Sequence, residues 1–128
     1  MTIGPAVGSA FLPQLPPWRY IKRSAALLLL RPRPFLANAR DMAELNANLA
    51  RQVARYAALA PPAVIMSGNS DFVVPVQRHA IAFAAAVPAA KLVVLPGIGH
   101  MLHHAAKERV IAEIEAISCR VGIASERP

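Results

Sequence analysis

Two short apolar runs, Ala63-Val64-Ile65-Met66-Ser67 and Leu92-Val93-Val94-Leu95, most narrowly limit what this chain can fold into. Neither alternates polar with apolar residues, as a strand with one wet face does, so both read as strands covered on two faces. Between them lies an alanine-rich helical stretch that Pro75 opens, Val87 closes and Pro88 stops. Strand, helix and strand at this spacing form a β-α-β unit, with parallel strands joined by a right-handed crossover. A last amphipathic helix follows, in which Val110, Ile114 and Ile117 repeat at spacings of four and three, with Lys107, Glu108, Arg109, Glu113 and Glu115 on its outer face. Two parallel strands do not make a stable sheet, and no other segment reads convincingly as a strand. The expectation is therefore an α/β chain whose sheet is only part of a larger one.

The first half reads as helical. Pro5, Pro13, Pro16 and Pro17 with Gly4 and Gly8 make residues 1–17 irregular. A helix is expected from about Trp18 to Leu30, halted by Pro32 and Pro34. The clearest periodicity comes next: Met42, Leu45, Leu49, Val53 and Tyr56 form one apolar stripe, with Asn38 as its cap, Asp41 in its first turn and Pro61-Pro62 at its end. Met42 and Tyr56 read as core residues. This divides the chain into a helical region over 1–60, a β-α-β-α region over 61–118 and a frayed tail over 119–128.

Charge and composition narrow the function classes. The net charge of +7 is concentrated in residues 1–60, which hold eight Lys and Arg against Asp41 and Glu44. No aromatic interleaving or nucleic-acid motif accompanies these charges, so they read as a solvated surface and no nucleic-acid partner is expected. A non-catalytic alternative is a basic module lying on an anionic membrane surface through Trp18, Arg19, Lys22 and Arg23, with Leu27–Leu30 embedded. The apolar run Ala25–Leu30 is far short of a membrane span, and Met1 to Leu12 lacks the positive start of a signal peptide, so no transmembrane segment and a cytoplasmic location are expected. Cys119 is the single cysteine and cannot form an intrachain disulfide.

Three of the four histidines crowd into Gly97-Ile98-Gly99-His100-Met101-Leu102-His103-His104. His100 lies just past the second strand, and Asp71 just past the first. Ligands and reacting groups gather at the carboxyl ends of parallel strands, and neighbouring strands bring these two loops together. A carboxylate that accepts the Nδ1 proton of an imidazole fixes its tautomer and stabilises the imidazolium formed when the ring takes a proton. The alternative for Asp71 is a loop carboxylate that caps the helix opened by Pro75. A metal site is the other alternative, because His100, His103 and His104 have i, i+3, i+4 spacing. Against it, His100 falls in the loop and no cysteine or second acid stands near. His103 and His104 read as bystanders on the first turn of the last helix, hydrogen-bonded locally, and His79 as a surface or cap-facing residue.

The stretch from Pro62 through Asp71-Phe72-Val73-Val74-Pro75, followed by Leu92 through Gly97-Ile98-Gly99-His100-Met101, resembles the carboxyl-terminal part of α/β-hydrolases. In that family a D-x-x-V-P loop, matched by Asp71, Val74 and Pro75, carries the acid, and a G-x-G-H loop carries the histidine. Arg55-Tyr56 is similar to the family's link from cap to sheet. The likeness covers about residues 38–118; for 1–37 it is one of position, where a helical cap would lie. It implies hydrolysis of an ester-like bond in a small hydrophobic substrate by a nucleophile-His-Asp triad, with no cofactor and with His100 and Asp71 as catalytic residues. The family's nucleophile stands on a G-x-S-x-G elbow. No such pentapeptide occurs here, and Val7-Gly8-Ser9-Ala10 lacks the second glycine. By the family's chain order the nucleophile would lie upstream of Met1, so this chain is expected to be silent alone. Its expected partner is the amino-terminal half that carries the nucleophile, or a second copy.

Overall fold

The computed structural model describes residues 7–122 and shows a mixed α/β arrangement. A short helix α1 (Tyr20–Arg23) and a 3-10 turn (Ala26–Leu30) precede a long helix α2 (Pro32–Val53). After a second 3-10 turn (Tyr56–Ala58) come strand β1 (Ala63–Gly68), a π-helical turn (Gln77–Ile81) continuing into α3 (Ala82–Ala86), and strand β2 (Ala90–Leu95). Helices α4 (Leu102–Ala105) and α5 (Lys107–Arg120) close the described chain. The two strands pair in parallel, with Ala63 opposite Ala90 and Gly68 opposite Leu95. They are the only strands among the described residues, and they form a two-stranded sheet.

Helix α3 packs against β2, and α5 packs against β1. Val76, Ala80, Val87 and Val93 are buried where the crossover meets the sheet. Helix α5 is also tied to β2 by charge. Glu113 is buried and accepts hydrogen bonds from Lys91 Nζ at 2.7 and 2.9 Å and from Arg109 Nε and Nη2 at 3.1 and 2.9 Å. The hydrogen bonds of Lys91, more than those of Arg109, outweigh the cost of desolvation and hold this carboxyl below its ordinary value of 4.5. Glu113 was expected on the outer face of its helix. It faces inward because its two cations supply the partners a buried carboxylate needs, while Ile114, expected inward, is 56% exposed.

The amino-terminal segment docks on α4. Phe11, only 1% exposed, meets Tyr20 edge-on at 4.8 Å and the His104 ring at 5.5 Å. Its partners come from α1 and α4, so this one ring fastens the start of the described chain to the region following β2.

The first half departs from the expected boundaries. The segment 18–30 is not one helix: Ala25 adopts a left-handed φ of 53°, and the chain resumes as a 3-10 turn. Leu27, Leu28, Leu29 and Leu30 are all exposed, so no burial rewards continuing a helix that is too short to hold alone. Pro32 does not merely end that segment. It sits in the first turn of α2, where its missing N–H costs nothing. Asn38 is thus interior to α2 rather than its cap, and Tyr56 lies beyond the helix in the 3-10 turn, where it packs edge-on against Phe83 at 4.7 Å. The apolar stripe exists, but α2 buries none of its residues, and Met42 is exposed rather than core. The strands expected to be covered on both faces are covered incompletely, and Val94 is exposed. The outer end of the tail, 123–128, lies outside the described residues.

Truncation should separate these two kinds of apolar residue. Phe11→Ala is expected to cost about 3 kcal/mol or more, because it empties a filled site. Met42→Ala, on a surface that is already wet, should change stability by less than about 0.5 kcal/mol. Urea midpoints of the two variants against the parent chain check this contrast.

Candidate functional site

The carboxyl ends of the two strands are laced together before any functional group is placed. The Asn69 N–H donates to Leu95 O at 3.0 Å, and the Ser70 N–H donates to Ile98 O at 3.0 Å. The Gly97 N–H donates to Asn69 Oδ1 at 2.7 Å. Gly97 turns the chain with a φ of 69°, a conformation that disfavours a side chain. Gly68 is needed for a different reason, since a Cβ there would collide with the Ile98 carbonyl. These contacts hold the loop after β1 flat against the loop after β2.

Asp71 and His100 meet on that platform. Asp71 Oδ1 accepts from the backbone N–H of Val73 at 2.9 Å and of Val74 at 2.8 Å. Its other oxygen, Oδ2, lies 3.0 Å from His100 Nδ1. One oxygen of Asp71 thus holds the turn before Pro75 and does not cap the helix beyond it, as the alternative reading expected, while the other meets the imidazole. Burial by itself would raise the Asp71 carboxyl. Hydrogen bonds from Val74, the His100 ring and Val73 outweigh that and hold it below its ordinary value of 3.8. An anionic acceptor beside Nδ1 favours the ring tautomer that carries its proton on that nitrogen. The Asp71 side chain is 7% exposed and that of His100 is 36% exposed, so the carboxylate is shielded while the ring is partly open to solvent.

A clamp from the far end of the chain completes the site, and sequence reasoning missed it. The Gln14 amide donates from Nε2 to Gly97 O at 2.7 Å and accepts at Oε1 from the Gly99 N–H at 2.9 Å. One side chain thereby grips both glycines of the G-I-G turn that precedes His100. Gly99 lies so close to the Leu12 carbonyl that a Cβ would overlap it. Gln14 stands 83 residues from Gly97 in a proline-rich stretch with no periodicity, so no local signal marks it.

The pair opens into a cavity of about 690 Å³. Leu49 and Val53 of α2, with Tyr56, Phe83, Ala86 and Met66, give it an apolar lining, and Ser67, Arg78 and His79 are its other polar contributors. Ser67 is buried, and its hydroxyl lies 3.5 Å from the neighbouring Gly68 carbonyl. Arg78 and His79 are exposed at the edge of the lining. The volume is that of a pocket for a small organic molecule.

The remaining clustered histidines take another course. His104 packs against both Phe11 and Tyr20, with the Tyr20 ring edge-on at 5.4 Å, and His103 lies against His104 at 4.4 Å. Ring packing, rather than the local hydrogen bonds expected from the sequence, holds them. Partial desolvation, with His104 and His100 nearby, keeps His103 below its ordinary value of 6.5 and favours its neutral form. Among the described residues, no group of three or more His, Cys, Asp or Glu side chains gathers closely enough to hold a metal ion. His100 is engaged by Asp71 on one side of the loop, and the other two rings belong to the aromatic cluster.

Compared with family models, curated proteins and solved structures, the chain matches none of them.

The Asp71 geometry has a pH signature. Its folded value lies below 3.8, so its contribution to stability is complete above that pH and is lost as pH falls through the lower folded value. Asp71→Asn should destabilise the chain at neutral pH by about 1–2 kcal/mol, through weakened bonds to Val73 and Val74. It should also make stability less sensitive to acid. Urea midpoints as a function of pH for both chains test the sign.

Proposed function

We propose that this chain supplies the acid–histidine half of an α/β-hydrolase-type active site that cleaves an ester-like bond. The observation that carries the reading is the 3.0 Å contact from Asp71 Oδ2 to His100 Nδ1 at the adjoining ends of two parallel strands. In such a site His100 Nε2 takes the proton from a nucleophile and returns it to the leaving group, while Asp71 orients the ring and stabilises the imidazolium. Neither residue requires a cofactor for this work. The apolar lining of the cavity favours a substrate with a hydrophobic body, and α2 with its Leu49 and Val53 contacts is in keeping with a cap.

The nucleophile belongs outside these 128 residues, because no G-x-S-x-G elbow occurs in them. Ser67 is no substitute, with its hydroxyl against its own neighbour's carbonyl rather than bonded to His100. A base with nothing to activate transfers no acyl group. The elbow and the remaining strands would come from a separate polypeptide or from further chain, added beside the two strands seen here.

The chain alone should show no turnover of chromogenic short-chain esters beyond that of free imidazole. Joined or mixed with the product of an adjacent reading frame bearing a G-x-S-x-G or G-x-D-x-G elbow, it should become active. His100→Ala should then lower kcat by about 10³–10⁶-fold and Asp71→Asn by about 10⁴-fold, with KM little changed. Activity in the isolated chain that disappears with His100→Ala, or reconstituted activity indifferent to His100, would overturn the reading.

A further inference from the structure

Away from the Asp71–His100 cavity, the stretch from Trp18 to Arg33 presents a surface of unusual chemistry. Trp18 is 79% exposed, and Leu27, Leu28, Leu29 and Leu30 are all exposed as well. Helix α1 and the 3-10 turn pack against each other, and Trp18, Arg19, Lys22 and Leu27 line one shallow depression. None of these residues lines the cavity at the strand ends. Every charge in the stretch is positive: Arg19, Lys22, Arg23, Arg31 and Arg33, with Asp41 the first acid in the sequence. The Arg19 guanidinium lies 4.8 Å over the Trp18 ring.

We propose that this surface docks on an anionic lipid bilayer, with Trp18 and Leu27–Leu30 entering the interfacial layer and the flanking cations meeting the headgroups. A protein partner covering four leucines and a tryptophan would call for a largely uncharged centre, since charged residues are depleted at the cores of protein interfaces. Five cations with no balancing acid fit poorly there. They fit a negatively charged headgroup layer, where each adds attraction and its aliphatic stem lies along the apolar boundary. Tryptophan and arginine both favour that boundary, the ring because it is apolar with one polar edge. No helix among the described residues is long and apolar enough to cross a membrane, so the contact lies on the surface.

Trp18 is the sole tryptophan of the chain, so its emission reports on this patch alone. Vesicles of phosphatidylcholine and phosphatidylglycerol in a three-to-one ratio should shift that emission to the blue, and lipids brominated near the headgroup should quench it. Pure phosphatidylcholine should do neither, and high salt should reverse the effect. Replacing Arg19, Lys22 and Arg23 together by Gln should weaken binding about 100-fold, and Leu28→Glu with Leu29→Glu should abolish it. Leu45→Glu, on the exposed stripe of α2, should leave it unchanged. Far-UV circular dichroism and the His100 ring resonances verify that each variant remains folded. Four results would overturn the proposal: no spectral change with anionic vesicles, an equal change with neutral ones, or binding that survives the two Leu→Glu replacements. The fourth is a concentration-dependent shift without lipid, accompanied by a sedimenting dimer, which would assign the surface to a second copy.

Discussion

The parallel pairing of β1 with β2, in a register that ends at Gly68 opposite Leu95, is the contact on which the remaining geometry depends. Because both strands run the same way, their carboxyl ends share one rim and the two following loops emerge side by side. Asn69 and Ser70 stitch the first loop to the second through backbone and amide bonds. Only then do Asp71 and His100 face each other. A slip of one residue would turn the side chains of the slipped strand to the opposite face and separate the pair.

The pair itself divides its labour by atom. One carboxylate oxygen is committed to two backbone N–H groups, which fix the orientation of Asp71, and the other is presented to the ring. This arrangement keeps the carboxylate ionised and oriented while the His100 ring stays partly open to solvent. Gln14 adds a restraint of a different sort, joining the amino-terminal segment to the turn that aims His100. The aromatic packing of Phe11, Tyr20 and His104 secures that segment, so two of the three clustered histidines take part in the same assembly by separate means.

The apolar surface tells a complementary story. Among the described residues, Phe11, Val76, Ala80, Val87 and Val93 are the buried hydrophobic ones, whereas the stripe of α2, the Leu27–Leu30 turn and Val94 are exposed. A sheet of two strands has two unpaired edges, and a stripe such as Met42-Leu45-Leu49-Val53 normally faces a core. The described residues therefore carry more apolar surface than they cover among themselves. Its exposed faces differ in kind: the α2 stripe reaches the cavity through Leu49 and Val53, while the turn before it is flanked in sequence by cations alone. Faces so unlike call for different neighbours.

The strands, the crossover between them and the candidate positions of Asp71 and His100 were legible in the sequence, because apolar runs, prolines and glycines act locally. Periodicity also foresaw the stripe of α2, although it could not show whether anything packs against it. The end of a helix is decided by what its residues touch, which is why Ala25 breaks one expected helix and Pro32 begins the next. Glu113 was misplaced for the same reason: its inward position depends on Lys91, 22 residues away in sequence. Gln14 left no local trace at all. Local backbone preferences can be read along one dimension, but a buried carboxylate's partners and a clamp between distant segments exist only once the chain has closed on itself.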